Sequence, residues 1–191
     1  FLLAHGMRKS FDVMFCGRFT EEKRPLFALA VAERVAAALG RPISILFVGS
    51  GHLEAELRAR VACSGGIVAK VNGFRRQLEL PPLYASSRVF LFPTESDTWG
   101  VVANEACAAG LPVIVTPFAG VTGELIQDGV NGYVRNLDIG EWAIAVQRLL
   151  TDEQLYQAFS QSSRRLVSDY TYSASASGVI DAALAAVNGS T

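Results

Sequence analysis

Apolar and polar positions divide the chain into two kinds of segment. Short runs rich in Val, Ile and Phe, without polar alternation, occur at Val13–Cys16, Ile43–Val48, Ile67–Val71, Val89–Phe92 and Val113–Thr116, with a weaker one at Gly132–Val134. Such runs predict strands buried on both faces. Between them lie segments of helical period at Pro25–Leu39, Leu53–Ala62, Val101–Ala109 and Ile139–Leu150. Strands separated by helices predict right-handed crossovers, hence an α/β domain with a doubly wound, Rossmann-like parallel sheet. Beyond residue 138 the pattern is helical throughout, with two further helices predicted at Asp152–Asp169 and Ser173–Val187. The reading is one domain over residues 1–191, with a core to about residue 170 and a C-terminal helix from 171.

Ligands of open α/β sheets bind outside the carboxyl ends of the strands, so the loops there are the candidates for chemistry. Gly49-Ser50-Gly51-His52-Leu53-Glu54 opens a helix after a strand, but Glu54 stands where a dinucleotide fingerprint needs its third glycine. It also follows the second strand rather than the first. That leaves a tight turn, or the floor of a different ligand site. Gly17 to Pro25 carries Arg18, Lys23 and Arg24. Arg18 and Lys23 either converge on a diphosphate, one as a fork and one as a point charge, or are solvated surface cations. Glu21 and Glu22 nearly neutralise the loop.

Asp97 to Pro112 is the most informative stretch. Thr98 or Asp97 is placed to cap a helix that Gly110 and Pro112 end. Gly100 allows a ligand close to the first turn, where free N–H groups and the macrodipole favour phosphate. Glu105 is surrounded on its helix by Val101, Val102, Ala106, Ala108 and Ala109. Such a carboxylate either faces solvent or accepts from ligand hydroxyls.

Composition narrows the classes. The 191 residues are 50% hydrophobic and 18% charged, which excludes disorder. A chain of this size buries about 70% of its unfolded surface, enough for one sizeable core. With 17 Lys+Arg against 18 Asp+Glu, the net charge of −1 gives no footprint for nucleic acid or an anionic membrane. Cys16, Cys63 and Cys107 lie in apolar contexts without a CxxC pair, and read as buried thiols of a reducing compartment. His5 and His52 are the only histidines, and Asp97-Thr98-Trp99 makes no DxD motif, so no metal site is expected. No segment reaches the ~18–20 apolar residues of a membrane-spanning helix. Phe1 to Gly6 lacks the features of a signal peptide and an initiator Met, and the expectation is a piece of a longer chain.

Several of these motifs occur together and in order. Arg18 and Lys23 after the first strand, Asp97-x7-Glu105, and the Glu-Ala-x-Ala-x-Gly-Leu-Pro-Val run from Glu105 resemble the retaining glycosyltransferases of family four, also called group 1 glycosyl transferases. Phe47-Val48-Gly49-Ser50-Gly51, Asn72-Gly73-Phe74, Gly120-x3-Glu124 and Asp128-Gly129-Val130-Asn131-Gly132 match as well. The resemblance covers nearly the whole chain and corresponds to the C-terminal, donor-binding half of a GT-B fold.

The resemblance implies a role for each matching residue. Glu105 would hold the ribose hydroxyls of the donor nucleotide. Asp97, where Glu is usual, would lie against the donor sugar. Backbone N–H groups of Trp99, Gly100, Val101 and Val102 would face sugar and phosphates, with Trp99 where Phe is common. Arg18 and Lys23 would neutralise the diphosphate leaving group, and Gly73 and Phe74 would flank the nucleobase. Arg24 departs from the usual Gly. The implied catalytic residues are therefore Asp97, Arg18 and Lys23, with a nucleotide-diphosphate sugar as donor and neither metal nor cofactor.

The acceptor site would belong to an N-terminal domain. The C-terminal helix, entered at Tyr170-Thr171-Tyr172-Ser173, would cross back to that domain. Its apolar face of Val179, Ile180, Ala183 and Leu184 would be partly exposed, or packed on a second copy. The expected setting is cytoplasmic, with peripheral membrane association through the other half and no nucleic-acid partner. The fragment is expected to bind donor weakly and transfer nothing unaided. Two alternatives keep the scaffold: a GT-B sugar-nucleotide epimerase, and a non-catalytic binding module indifferent to nucleotides.

Overall fold

The computed structural model describes residues 9–188, apart from the side chains of 172–175, 179, 187 and 188. His5 and the segment Phe1 to Gly6 therefore lie outside the described residues, as does the Val179 side chain. Six strands form one parallel sheet: β1 (Phe11–Cys16), β2 (Ile43–Val48), β3 (Ile67–Val71), β4 (Ser87–Phe92), β5 (Val113–Val115) and β6 (Gly132–Val134). Their order is β3-β2-β1-β4-β5-β6, with Val13 beside Ile45 on one flank and Val89 on the other. The order reverses between β1 and β4, which opens a crevice above their carboxyl ends.

Among the described residues seven α-helices connect or flank the strands: α1 (Pro25–Leu39), α2 (Glu54–Cys63), α3 (Leu80–Ala85), α4 (Val101–Ala108), α5 (Ile139–Thr151), α6 (Glu153–Val167) and α7 (Tyr172–Asn188). Successive strand side chains point to opposite faces, and both faces are covered. Val13 and Phe15 pack into a core with Leu29, Val35 and Trp142, under α1 and α5. Met14 and Cys16 enter a second core with Tyr84, Phe90 and Ala106, under α3 and α4. This double burial explains why the central strands lack polar alternation.

The edge strand corrects the expectation for Ile67–Val71. β3 has a neighbour on one side only, and its alternate residues Val68 and Lys70 are exposed. The helix α3 and the 3-10 turn at Gln77–Glu79 before it were not anticipated. Pro81 and Pro82 in the first turn of α3 were the available signal, because proline fits there without losing a hydrogen bond.

Helix ends follow local chemistry. The Asp138 carboxylate accepts from Glu141 N at 2.8 Å, and Asp152 accepts from Leu155 N at 2.9 Å, capping α5 and α6. The start of α4 is different and corrects the expected cap. Neither Thr98 nor Asp97 caps it; Gly100 occupies the cap position at φ 105°, without a side-chain hydrogen bond. Asp97 instead accepts from Trp99 N at 3.2 Å, inside the preceding turn. Of the thiols, Cys16 and Cys107 are buried, but Cys63 is exposed because it ends α2 on the solvent side. The described side chains of α7, Ile180, Ala183 and Leu184 among them, are exposed.

Candidate functional site

The crevice between β1 and β4 brings two loops together. The β1–α1 loop turns away from Cys16 at Gly17 and passes close over the β2–α2 loop. A Cβ on Gly49 would stand 1.9 Å from Gly17 O, and one on Gly51 would stand 2.3 Å from Phe19 O. The two glycines thus exist to let these loops touch, which resolves the Gly49-Ser50-Gly51 segment as a packing turn. On the other side, Gly120 permits the segment 97–99 to pair with 119–121. Its N–H donates to Asp97 O at 2.9 Å, and a Cβ there would meet Thr98 O at 2.0 Å.

Lys23 is the centre of the arrangement. Its side chain is only 12% exposed, and its ammonium donates to Asp97 Oδ2 at 3.0 Å, Ser96 O at 2.7 Å and Thr94 Oγ1 at 3.2 Å. Glu22 Oε1 also accepts from it, at 2.8 Å. Arg18 lies at the rim, 3.9 Å from Glu22 Oε2. Arg18, Glu22, Lys23, Ser96, Asp97 and Thr98 line a cavity of about 330 Å³. A smaller one of about 130 Å³ shares Lys23 and Asp97 and reaches inward to Cys16, Gly17, Phe92 and Val102.

Arg24 has a defined place. It adopts φ 54°, the one non-glycine residue with positive φ among the described residues, and its guanidinium pairs with Glu95. Together with Glu95 N donating to Glu22 O at 2.9 Å, this ties the β1–α1 loop to the β4–α4 loop. The left-handed geometry explains why glycine suits this position.

Glu105 is the fifth residue of α4, about 6 Å along the axis from its start. It does not face open solvent. The buried Tyr84 hydroxyl of α3 donates to Glu105 Oε2 at 2.9 Å, and Tyr84 shares its core with Cys16 at the end of β1. Burial raises the Glu105 carboxyl above the usual carboxylate range, against the opposing pull of the Tyr84 hydroxyl. Burial likewise pushes the Cys16 thiol up to about 11, so it stays neutral.

The crevice therefore unites Arg18, Lys23, Asp97 and Val102 around its two cavities, with Gly100 at the adjoining helix start. Glu105 reaches the same strand end through Tyr84. Trp99 sits partly buried against Tyr170, ring centroids 5.4 Å apart, with Nε1 donating to Asn104 Oδ1 at 2.7 Å. Val101 is exposed. Gly73 is left-handed at φ 63° and accepts from Gly49 N at 2.9 Å, which places its loop beside the β2–α2 loop; the Phe74 ring is exposed. Neither Gly73 nor Phe74 lines either cavity.

Tyr84, Thr94 and the Ser96 carbonyl were missed from sequence. Nothing in local spacing links Tyr84 to Glu105, although an acid amid apolar neighbours demanded some partner. Among the described residues, no three His, Cys, Asp or Glu side chains group as a metal site.

Comparison with known proteins bears on the chain as a whole. The family described as "Glycosyl transferases group 1" matches residues 10–152. The D-inositol 3-phosphate glycosyltransferase of Rhodococcus erythropolis is 30% identical over 177 residues, covering 88% of this chain and 40% of the relative. A sulfoquinovosyl transferase of Arabidopsis thaliana is 27% identical over 175 residues, covering 90% of this chain and 33% of the relative. The chain thus spans about 40% or less of the length of these curated relatives.

Solved structures share the fold. The C-terminal domain of a group 1 family protein from Francisella tularensis superposes with a TM-score of 0.74 at 20% identity, covering 87% of this chain and 89% of that one. Anabaena HepE in complex with UDP and glucose gives a TM-score of 0.74 at 19% identity, covering 91% of this chain and 47% of that one.

Proposed function

The chain belongs to the group 1 glycosyl transferases, and from that premise we propose that it is the donor-binding half of a retaining, metal-independent glycosyltransferase. The whole protein moves a sugar from a nucleotide-diphosphate sugar to an acceptor. The observation that carries this reading is the ion pair at the strand-order reversal, where Lys23 Nζ lies 3.0 Å from Asp97 Oδ2 with Arg18 at the rim.

The chemistry fits these groups. Transfer breaks the bond between the anomeric carbon and the distal phosphate oxygen and forms one to the acceptor oxygen. The acceptor proton passes to the departing phosphate or to solvent. Negative charge grows on the leaving diphosphate and positive charge on the anomeric carbon. Lys23, Arg18 and the free N–H groups at the start of α4 stabilise the first in fixed positions. Asp97, already anchored by Lys23, orients the sugar beside the second. Glu105 accepts from the ribose hydroxyls, with Tyr84 fixing one of its oxygens. Retention of the anomeric configuration is what the family resemblance implies.

The nucleobase rests near Gly73 and Phe74, and Trp99, Gly100, Val101 and Val102 face the sugar and phosphates through backbone. The acceptor binds an N-terminal domain that the α7 segment meets. The protein works in the cytoplasm, with peripheral membrane contact through that other domain. No helix of the described residues is long and apolar enough to cross a membrane.

Calorimetric titration with UDP, GDP and ADP tests the donor site. One nucleotide is expected to bind selectively, and Glu105→Ala to weaken it about tenfold or more, the scale of the ~1.5–3 kcal/mol carried by hydrogen bonds to a charged group. Equal binding by Glu105→Ala would remove Glu105 from the site. No binding of any nucleotide at millimolar concentration, in this chain and in the full-length protein, would sink the reading.

A further inference from the structure

The cavity above β1 and β4 is lined by two cations, Arg18 and Lys23, and two carboxylates, Glu22 and Asp97. Its lining is electrically neutral, yet the proposed ligand brings a polyanionic diphosphate. Glu22 accounts for the balance. One of its oxygens lies 2.8 Å from Lys23 Nζ and the other 3.9 Å from an Arg18 guanidinium nitrogen. A single carboxylate thus bridges both cations assigned to the leaving group.

Lys23 has three N–H donors. Four acceptors already share them: Glu22 Oε1, Thr94 Oγ1, Ser96 O and Asp97 Oδ2. A phosphate oxygen takes a full hydrogen bond there only by displacing one of the four. Thr94 is buried, and its hydroxyl also donates to Ser96 O at 2.7 Å. Asp97 is 24% exposed and is held by Trp99 N. Glu22 is the loosest, its side chain 46% exposed. Its backbone, by contrast, is pinned through Glu95 N, so the carboxylate swings without moving the loop.

We propose that Glu22 is an internal stand-in for the distal phosphate of a nucleoside diphosphate. In the empty site its carboxylate holds Arg18 and Lys23 together. It swings to solvent when the diphosphate binds and returns as the product leaves, so the cations are compensated in both states. Glu22 is a positioning residue that acts through the two cations. The inference rests on the donor-site reading above.

The test is calorimetry of the wild-type chain, Glu22→Gln and Glu21→Gln with UDP, GDP, ADP and the matching monophosphates. Glu21 is the control: it carries the same charge one residue away, but pairs with His52 at 2.6 Å. The diphosphate that the wild type binds is expected to bind Glu22→Gln roughly three- to tenfold tighter, the scale of one or two partly exposed ion pairs. The gain should shrink at about 1 M salt, where charges are screened within ~3 Å. The monophosphate, which stops short of the cations, should gain less, and Glu21→Gln should leave diphosphate affinity unchanged.

Equal or weaker diphosphate binding by Glu22→Gln would overturn the proposal. So would an equal gain for the monophosphate, or the same gain in Glu21→Gln. If no nucleotide binds the wild type or either variant, in this chain and in the full-length protein, the donor-site reading falls, and this inference with it.

Discussion

At the residue scale, a half-buried acid and a buried phenol define each other. Glu105 sits among apolar neighbours on α4, and burial raises its carboxyl above the usual carboxylate range. The Tyr84 hydroxyl opposes that by donating to Oε2, and so favours the ionised form, the one the proposed donor site needs. Tyr84→Phe removes the donor and lets the carboxyl rise further. Nucleotide affinity should then begin to fall at a higher pH on the acid side than in the wild type, and weaken roughly threefold to tenfold near neutrality. Titrations of nucleotide binding from mildly acidic to mildly basic pH check this. An unshifted profile would leave Tyr84 with a packing role only. The sequence exposed Glu105 as anomalous but not Tyr84, because a contact spanning 21 positions depends on how α3 and α4 pack.

At the element scale, α4 begins with no side-chain cap. Gly100 takes φ 105°, and a Cβ there would lie 2.6 Å from the Phe92 ring. Backbone conformation and space both require glycine, and no side chain caps the first turn. Gly100→Ala should cost about 2–3 kcal/mol through strain and overpacking, measured by urea unfolding, and should weaken nucleotide binding as the helix start shifts. A variant as stable as the wild type would mean the turn relaxes easily. The sequence placed α4 to within one residue, because its apolar period and Gly110 mark it. It assigned the wrong cap, since Asp97 and Thr98 have capping chemistry and only the turn geometry directs Asp97 to Lys23 and to Trp99 N.

At the scale of the whole molecule, the two cores close over the sheet, and no described side chain of α7 belongs to either. Its described side chains are exposed, Ile180 and Leu184 included. Ending the chain after Thr171 should therefore leave the urea midpoint of the remaining domain within about 0.5 kcal/mol of its original stability, as for surface changes elsewhere. A larger loss would show that α7 packs on the sheet domain and contributes to its core.

The sequence by itself determined the doubly wound class, the central strands, most helices and the residues of the family pattern. These depend on local period and composition, which burial on both faces of a sheet writes directly into the chain. It also marked Glu105 as an acid that needs a partner if it does not face solvent, and Arg18, Lys23 and Asp97 as candidates for the site. Only the tertiary structure decided what those partners are. The edge position of β3, the Tyr84–Glu105 bond, the Arg24–Glu95 tie and the Glu22 bridge between two cations all depend on which loops the strand order brings together. That order is a property of the folded sheet, and no spacing along the chain encodes it.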